Sequence, residues 1–75
     1  MQKGGYMAKV TLAAARVAAG YSQEELANIL GVSRVLVTNL ETGKTKLKPF
    51  YLYAICHVTG FSESDILLPE ESTKR

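Results

Sequence analysis

Few residues in this chain of 75 are of the types that carry out chemistry. Its single cysteine, Cys56, and its single histidine, His57, are adjacent in an apolar segment, and no second pair of metal ligands exists elsewhere in the sequence. A reactive cysteine needs an exposed, electropositive setting, so we interpret Cys56 as a small buried thiol. We also find no nucleophile with a base and no phosphate-binding loop. We therefore predict no catalytic activity, no metal, no cofactor and no small-molecule substrate.

A different set of polar side chains follows a helical spacing in residues 33–42. At about 100° per residue, Leu36, Val37 and Leu40 fall on one face of a helix, which is purely apolar. The other face mostly carries groups that form hydrogen bonds. It comprises Arg34, Val35, Thr38, Asn39 and Thr42. Packing against a hydrophobic core explains the apolar face, but it does not explain why the other face carries so many hydrogen-bonding groups.

Charge is distributed unevenly along the chain. Residues 1–48 carry seven positive charges against three negative ones, whereas residues 49–75 carry two against four. The net charge of +2 is weak evidence for any partner. The more informative feature is the distribution of charge, since one end of the chain is basic and the other is acidic.

Glycines and capping residues divide the sequence into five predicted helices. The first covers about residues 9–19. The second runs from a cap at Ser22 to Gly31, the third from a cap at Ser33 to Gly43, and the fourth from Pro49 to about residue 59. Ser62 and Asp65 open a short fifth helix before Pro69. We expect an all-α domain over residues 9–68, a flexible arm at residues 1–8 and a polar tail at residues 69–75.

The chain breaks its helical pattern at Gly31 and resumes it at Ser33. Two helices joined by so short a turn must cross steeply, and a large side chain at the crossing would hold them apart. Ala27 is small and lies one turn before the break, and Val37 supplies an apolar anchor on the next helix. This pattern is typical of a helix-turn-helix.

The segment "YSQEELANILGVSRVLVTNLETGKTK" resembles the phage repressor and Cro (XRE-like) class of helix-turn-helix domains. The resemblance rests on Ser-Gln-x-x-Leu-Ala, the Gly-Val-Ser turn and Glu-x-Gly-Lys, and it extends over about residues 10–68. Arg16 matches an arginine that family members often carry on the first helix. Val35 and Leu36 depart from the polar residues common at those positions, and the fourth helix is unusually aromatic. The resemblance implies a compact, repressor-like DNA-binding domain.

The resemblance also implies which residues contact DNA. The base-contacting residues are expected to be Arg34, Val35, Thr38 and Asn39, on a recognition helix at about residues 33–42 that enters the major groove. The phosphate-contacting residues are expected to be Gln23, Ser33, Lys44 and Lys46. Alternative roles exist, because Ser22 and Ser33 are helix caps in any case, and Lys44 and Lys46 would also suit an ordinary solvated loop. Arg16 and Glu41 are interpreted as a structural pair that pins the first helix to the third.

The fourth helix is apolar nearly all round, which is typical of a helix covered on both sides. Family members commonly dimerise near the fourth and fifth helices, so Tyr53, Val58 and Phe61 are expected in a homodimer interface. Their alternative role is as core residues. A two-fold dimer would prefer a palindromic operator, because it reads two half-sites.

The leading functional hypothesis is a sequence-specific transcriptional regulator that binds double-stranded operator DNA in the cytoplasm of a bacterial or phage-infected cell. No apolar run is long enough to cross a membrane. A restriction-modification controller and a toxin-neutralising antitoxin remain open. A protein-interaction module that reuses the fold is the alternative from a different class.

Overall fold

The structure, a computed structural model, describes residues 9–69. The predicted arm at residues 1–8 and all of the predicted tail except Pro69 lie outside this range. The elements follow one another as β1 (Val10–Thr11), α1 (Leu12–Ala18), α2 (Gln23–Leu30), α3 (Arg34–Thr42), α4 (Pro49–Thr59), a 3-10 helix (Glu63–Asp65) and β2 (Ile66–Leu67). Within the described residues no helix is long and apolar enough to cross a membrane.

The fold departs from the predicted five helices at both ends of the described chain. A single 3-10 turn and strand β2 replace the fifth helix, and α1 begins at Leu12 instead of residue 9. Strands β1 and β2 are parallel, and Val10 pairs with Ile66. The pairing gives backbone groups of both short segments hydrogen-bond partners. The domain is therefore mainly helical, with a small sheet that joins its two ends.

The predicted caps of the central helices are confirmed. The Ser22 hydroxyl accepts from the Glu25 amide at 3.0 Å, and the Glu25 carboxylate accepts from the Ser22 amide at 2.8 Å. The Ser33 hydroxyl accepts from the Leu36 amide at 3.0 Å. These bonds satisfy amide groups that a helix start leaves without partners, and they define where α2 and α3 begin.

The core draws side chains from all four α-helices and from β2. Leu12, Leu26, Val37, Leu40 and Ile66 are each at most 2% exposed. The remaining buried apolar residues are Ala15, Ala27, Leu47 and Ile55. Because the elements share one core, α2 and α3 are held in a fixed relative orientation.

Candidate nucleic-acid interface

The turn between α2 and α3 is formed as its sequence predicts. Gly31 adopts a left-handed conformation, with φ 75° and ψ 30°, which side chains with a Cβ rarely adopt. The Val32 amide donates to the Ala27 carbonyl at 3.0 Å and closes the end of α2. Ala27 itself is buried against the core. The chain thus leaves α2 sharply, and α3 begins after a connection of three residues.

Helix α3 has one buried face and one open face. Val37 and Leu40 are each 1% exposed and fix α3 to the core. Arg34 and Val35 are exposed, whereas Thr38 and Asn39 are half-buried. The structure therefore brings the four predicted base-contacting residues together on the side of α3 that the core does not cover. Val35, at 59% exposure, is the apolar member of this open face.

Arg16 and Glu41 form the ion pair predicted between the first and third helices. Arg16 Nε donates to Glu41 Oε2 at 2.7 Å, and the two side chains are only 12% and 7% exposed. Arg16 Nη1 also donates to the Tyr21 carbonyl at 2.9 Å, in the connection between α1 and α2. The pair is therefore largely shielded from solvent, and it ties α1 to α3 and to the connection that precedes α2.

Gln23 is part of the same polar network, which the sequence analysis did not anticipate. Its Nε2 donates to Glu41 Oε1 at 2.9 Å, and its Oε1 accepts from the Thr38 hydroxyl at 3.1 Å. The Thr38 hydroxyl is also 3.2 Å from the Arg34 carbonyl. A signal existed in the sequence, because Gln23 lies on the same face of α2 as Leu26, Ala27 and Leu30, which points toward the other helices.

The other predicted phosphate-contacting residues lie at the two ends of α3. Ser33 is exposed at its start, and Lys44 and Lys46 are exposed in the loop that follows it. Leu47 is buried, and the Thr45 amide donates to the Asn39 carbonyl at 3.2 Å, so this loop is anchored to the domain. Lys48 is a third exposed lysine of the loop. The alternation Lys-Thr-Lys-Leu-Lys was the signal that could have identified it.

The predicted dimer residues differ in how much of each side chain is available. Tyr53 is 55% exposed on α4, whereas Val58 and Phe61 are half-buried and pack against the core. Phe50 is 59% exposed, and its ring centroid lies 4.4 Å from that of Tyr51. Helix α4 thus contributes to the core with one side and leaves two aromatic rings open to solvent.

Cys56 lines a shallow surface depression between α4 and the 3-10 helix. Its partial burial raises the pKa of the thiol, and the nearby carboxylates of Glu63 and Asp65 raise it further. These conditions disfavour a thiolate, which is the reactive form of cysteine. Among residues 9–69, no group of three potential ligands is arranged to hold a metal ion.

A short turn, a buried anchor face and an open polar face on the second of two crossed helices define the helix-turn-helix class. The family model described as "Helix-turn-helix" matches residues 12–66, which is more than half of the chain. The chain therefore belongs to the XRE-type helix-turn-helix family, and its domain is that of a DNA-binding transcriptional regulator. Neither the curated proteins nor the solved structures gave a match.

Proposed function

We propose that the protein is a sequence-specific transcriptional regulator that occupies promoter DNA by inserting α3 into the major groove. The observation that carries this proposal is the open face of α3. Val37 and Leu40 bury the opposite face, and the turn at Gly31 frees the start of the helix. B-DNA's major groove is about 12 Å wide and accepts a helix presented in this way.

The four open side chains have complementary recognition chemistry. Arg34 suits the two acceptors of guanine, and Asn39 suits the acceptor and donor of adenine. Val35 suits the methyl group of thymine. A bidentate contact of the first two kinds discriminates against a wrong base by about 1–3 kcal/mol. Thr38 completes the face, beside α2.

Contacts to the DNA backbone set the register of the helix in the groove. Lys44 and Lys46 supply positive charge beyond the end of α3, and we add Lys48 from the same loop. Gln23 and Ser33 supply neutral polar groups at the starts of α2 and α3. These five residues give affinity without sequence preference.

The protein acts as a Cro-like homodimer in this proposal. One domain touches too few base pairs to select a single site in a genome, whereas two domains related by a two-fold axis read a palindrome. The exposure of Tyr53 on α4 supports a contact between subunits there, to which the half-buried Val58 and Phe61 would contribute their open edges.

Selection of binding sites from a random duplex pool, followed by gel-shift titration, tests the proposal. We expect one enriched motif, and we expect Arg34→Ala and Asn39→Ala to lose preference for it. Arg34→Lys is the matched control for charge, because it keeps the cation but not the two-pronged hydrogen-bonding geometry. It should lose the guanine preference and keep the salt dependence. The absence of any enriched motif, or unchanged binding by both alanine variants, contradicts the proposal.

A second candidate is a protein-binding role, such as that of an antitoxin. The position of Val35 on the open face of α3, at 59% exposure, favours it, because an aliphatic side chain there also suits an apolar protein partner. Affinity capture with the wild-type protein and with Val35→Asp distinguishes the candidates. Recovery of one stoichiometric protein partner that Val35→Asp loses, without selective retention of DNA, would favour this role.

A further inference from the structure

The Glu41 carboxylate lies between two helices and is only 7% exposed. On one side it accepts from Arg16, through Oε2 at 2.7 Å and Oε1 at 3.4 Å. On the other side Oε1 accepts from Gln23 Nε2 at 2.9 Å. Arg16 is itself fixed by the Tyr21 carbonyl. Glu41 therefore connects a well-anchored cation to the first residue of α2.

This connection determines the orientation of the Gln23 amide. An ionised carboxylate can only accept hydrogen bonds, so the amide must turn its NH2 group toward Glu41. Its carbonyl then faces Thr38, whose hydroxyl can donate to it over 3.1 Å. The opposite orientation would direct the Gln23 carbonyl at the carboxylate, which leaves two acceptors facing each other. One hydrogen of the Gln23 amide is thereby used, and the second is left to donate elsewhere.

We propose that Glu41 is a positioning residue for DNA binding, which holds the Gln23 amide so that its second N–H meets a DNA phosphate. This inference rests on the proposed function. Through Thr38 the same amide is bonded to α3, so the phosphate contact of α2 and the base contacts of α3 share one rigid arrangement. Glu41 thus contributes to affinity without touching DNA, because it spares Gln23 the cost of being ordered on binding.

A double-mutant cycle on DNA affinity tests this role, with Gln23→Ala, Glu41→Gln and the variant that carries both changes. The probe is the duplex enriched by the wild-type protein, measured by fluorescence anisotropy. We expect Gln23→Ala to weaken binding by about tenfold, the value of one hydrogen bond to a charged group. Because Gln23 is neutral, the salt dependence should not change. We expect Glu41→Gln to weaken binding more when residue 23 is glutamine than when it is alanine.

The cycle also cancels the effect of the negative charge that Glu41→Gln removes, since that charge is lost with either residue at position 23. Glu41→Asp replaces Glu41→Gln if the latter does not fold, because it keeps a carboxylate opposite Arg16 but shortens its reach toward Gln23. If the loss in binding free energy of the double variant equals the sum of the losses of the two single variants, the positioning role is overturned and Glu41 has only a structural role. Failure of the wild-type protein to enrich any duplex would instead overturn the proposed function.

Discussion

At the residue scale, the lysines after α3 are expected to contribute to the affinity for DNA and not to the choice of base sequence. Lys46 is exposed in a loop that is anchored by the buried Leu47, so its charge is held near the end of the recognition helix. A phosphate-contacting lysine releases counterions on binding, which makes affinity depend on salt. Lysine contacts of this kind carry no information about base sequence.

We therefore expect Lys46→Ala to weaken binding to the enriched duplex and to an unrelated duplex by the same factor. The slope of log affinity against log salt should fall by about 1. Lys9→Ala removes the same charge from an exposed position outside the loop, and it should leave the slope closer to that of the wild-type protein. Titrations at several salt concentrations measure both variants. Equal slopes for the two variants would mean that net charge, not the position of Lys46, controls binding.

Gln23 illustrates how far single residues could be predicted from the sequence. Its place at the start of α2 followed from the cap at Ser22, which is a local signal. Its partners, Glu41 and Thr38, are 18 and 15 residues away in the chain. Their meeting depends on the angle and rotation at which α2 and α3 cross, and the short turn predicts a steep crossing without fixing those values. The roles of the DNA-facing residues stay predictions, which the duplex selection and the binding titrations test.

At the element scale, the left-handed glycines that end α2 and α3 differ in their surroundings. A Cβ added at Gly31 would meet nothing within 4 Å, whereas one added at Gly43 would lie 3.2 Å from the Pro69 Cβ. Both positions have a positive φ, of 75° and 82°. The backbone strain is therefore shared, and only Gly43 adds a tight contact with the end of the described chain.

We expect Gly31→Ala to lower the free energy of unfolding by about 1–2 kcal/mol, the cost of a left-handed residue with a Cβ. Gly43→Ala should lower it further, because Pro69 must move or the helix end must distort. Urea unfolding of the two variants and the wild-type protein measures the difference. Equal losses in the free energy of unfolding for the two variants would show that Pro69 can move away from the added Cβ without destabilising the fold.

The elements also show why the sequence predicts the centre of this fold better than its ends. Helices α2 and α3 carry serine caps, closing glycines and apolar faces, and each of these signals lies within the helix or next to it. Strand β2 has only two residues and forms because β1 lies beside it, 56 positions earlier in the chain. Two strands of two residues each, far apart in the chain, are too short to show the alternating pattern of a strand. The sequence therefore predicts a fifth helix there, from the local signals of Ser62 and Asp65.

At the scale of the whole molecule, the proposed dimer gives α4 a function that the core alone does not explain. Its inner side is anchored by Ile55, which is 3% exposed, while Tyr53 is 55% exposed on the same helix. Val17 on α1 is 62% exposed, which makes it a matched control of similar exposure on another helix. An aspartate at either position adds the same negative charge, so the two variants differ in location.

We expect Tyr53→Asp to shift the protein toward monomer in sedimentation, and Val17→Asp to leave the association state unchanged. On a palindromic duplex, Tyr53→Asp should weaken binding by about a hundredfold, because the second domain no longer benefits from being tethered to the first. On a duplex with a single half-site, both variants should bind like the wild-type protein. The two half-sites should be centred about 34 Å apart, one turn of B-DNA. If Val17→Asp dissociates the dimer and Tyr53→Asp does not, the subunits meet through α1, and the predicted interface at Tyr53, Val58 and Phe61 is wrong.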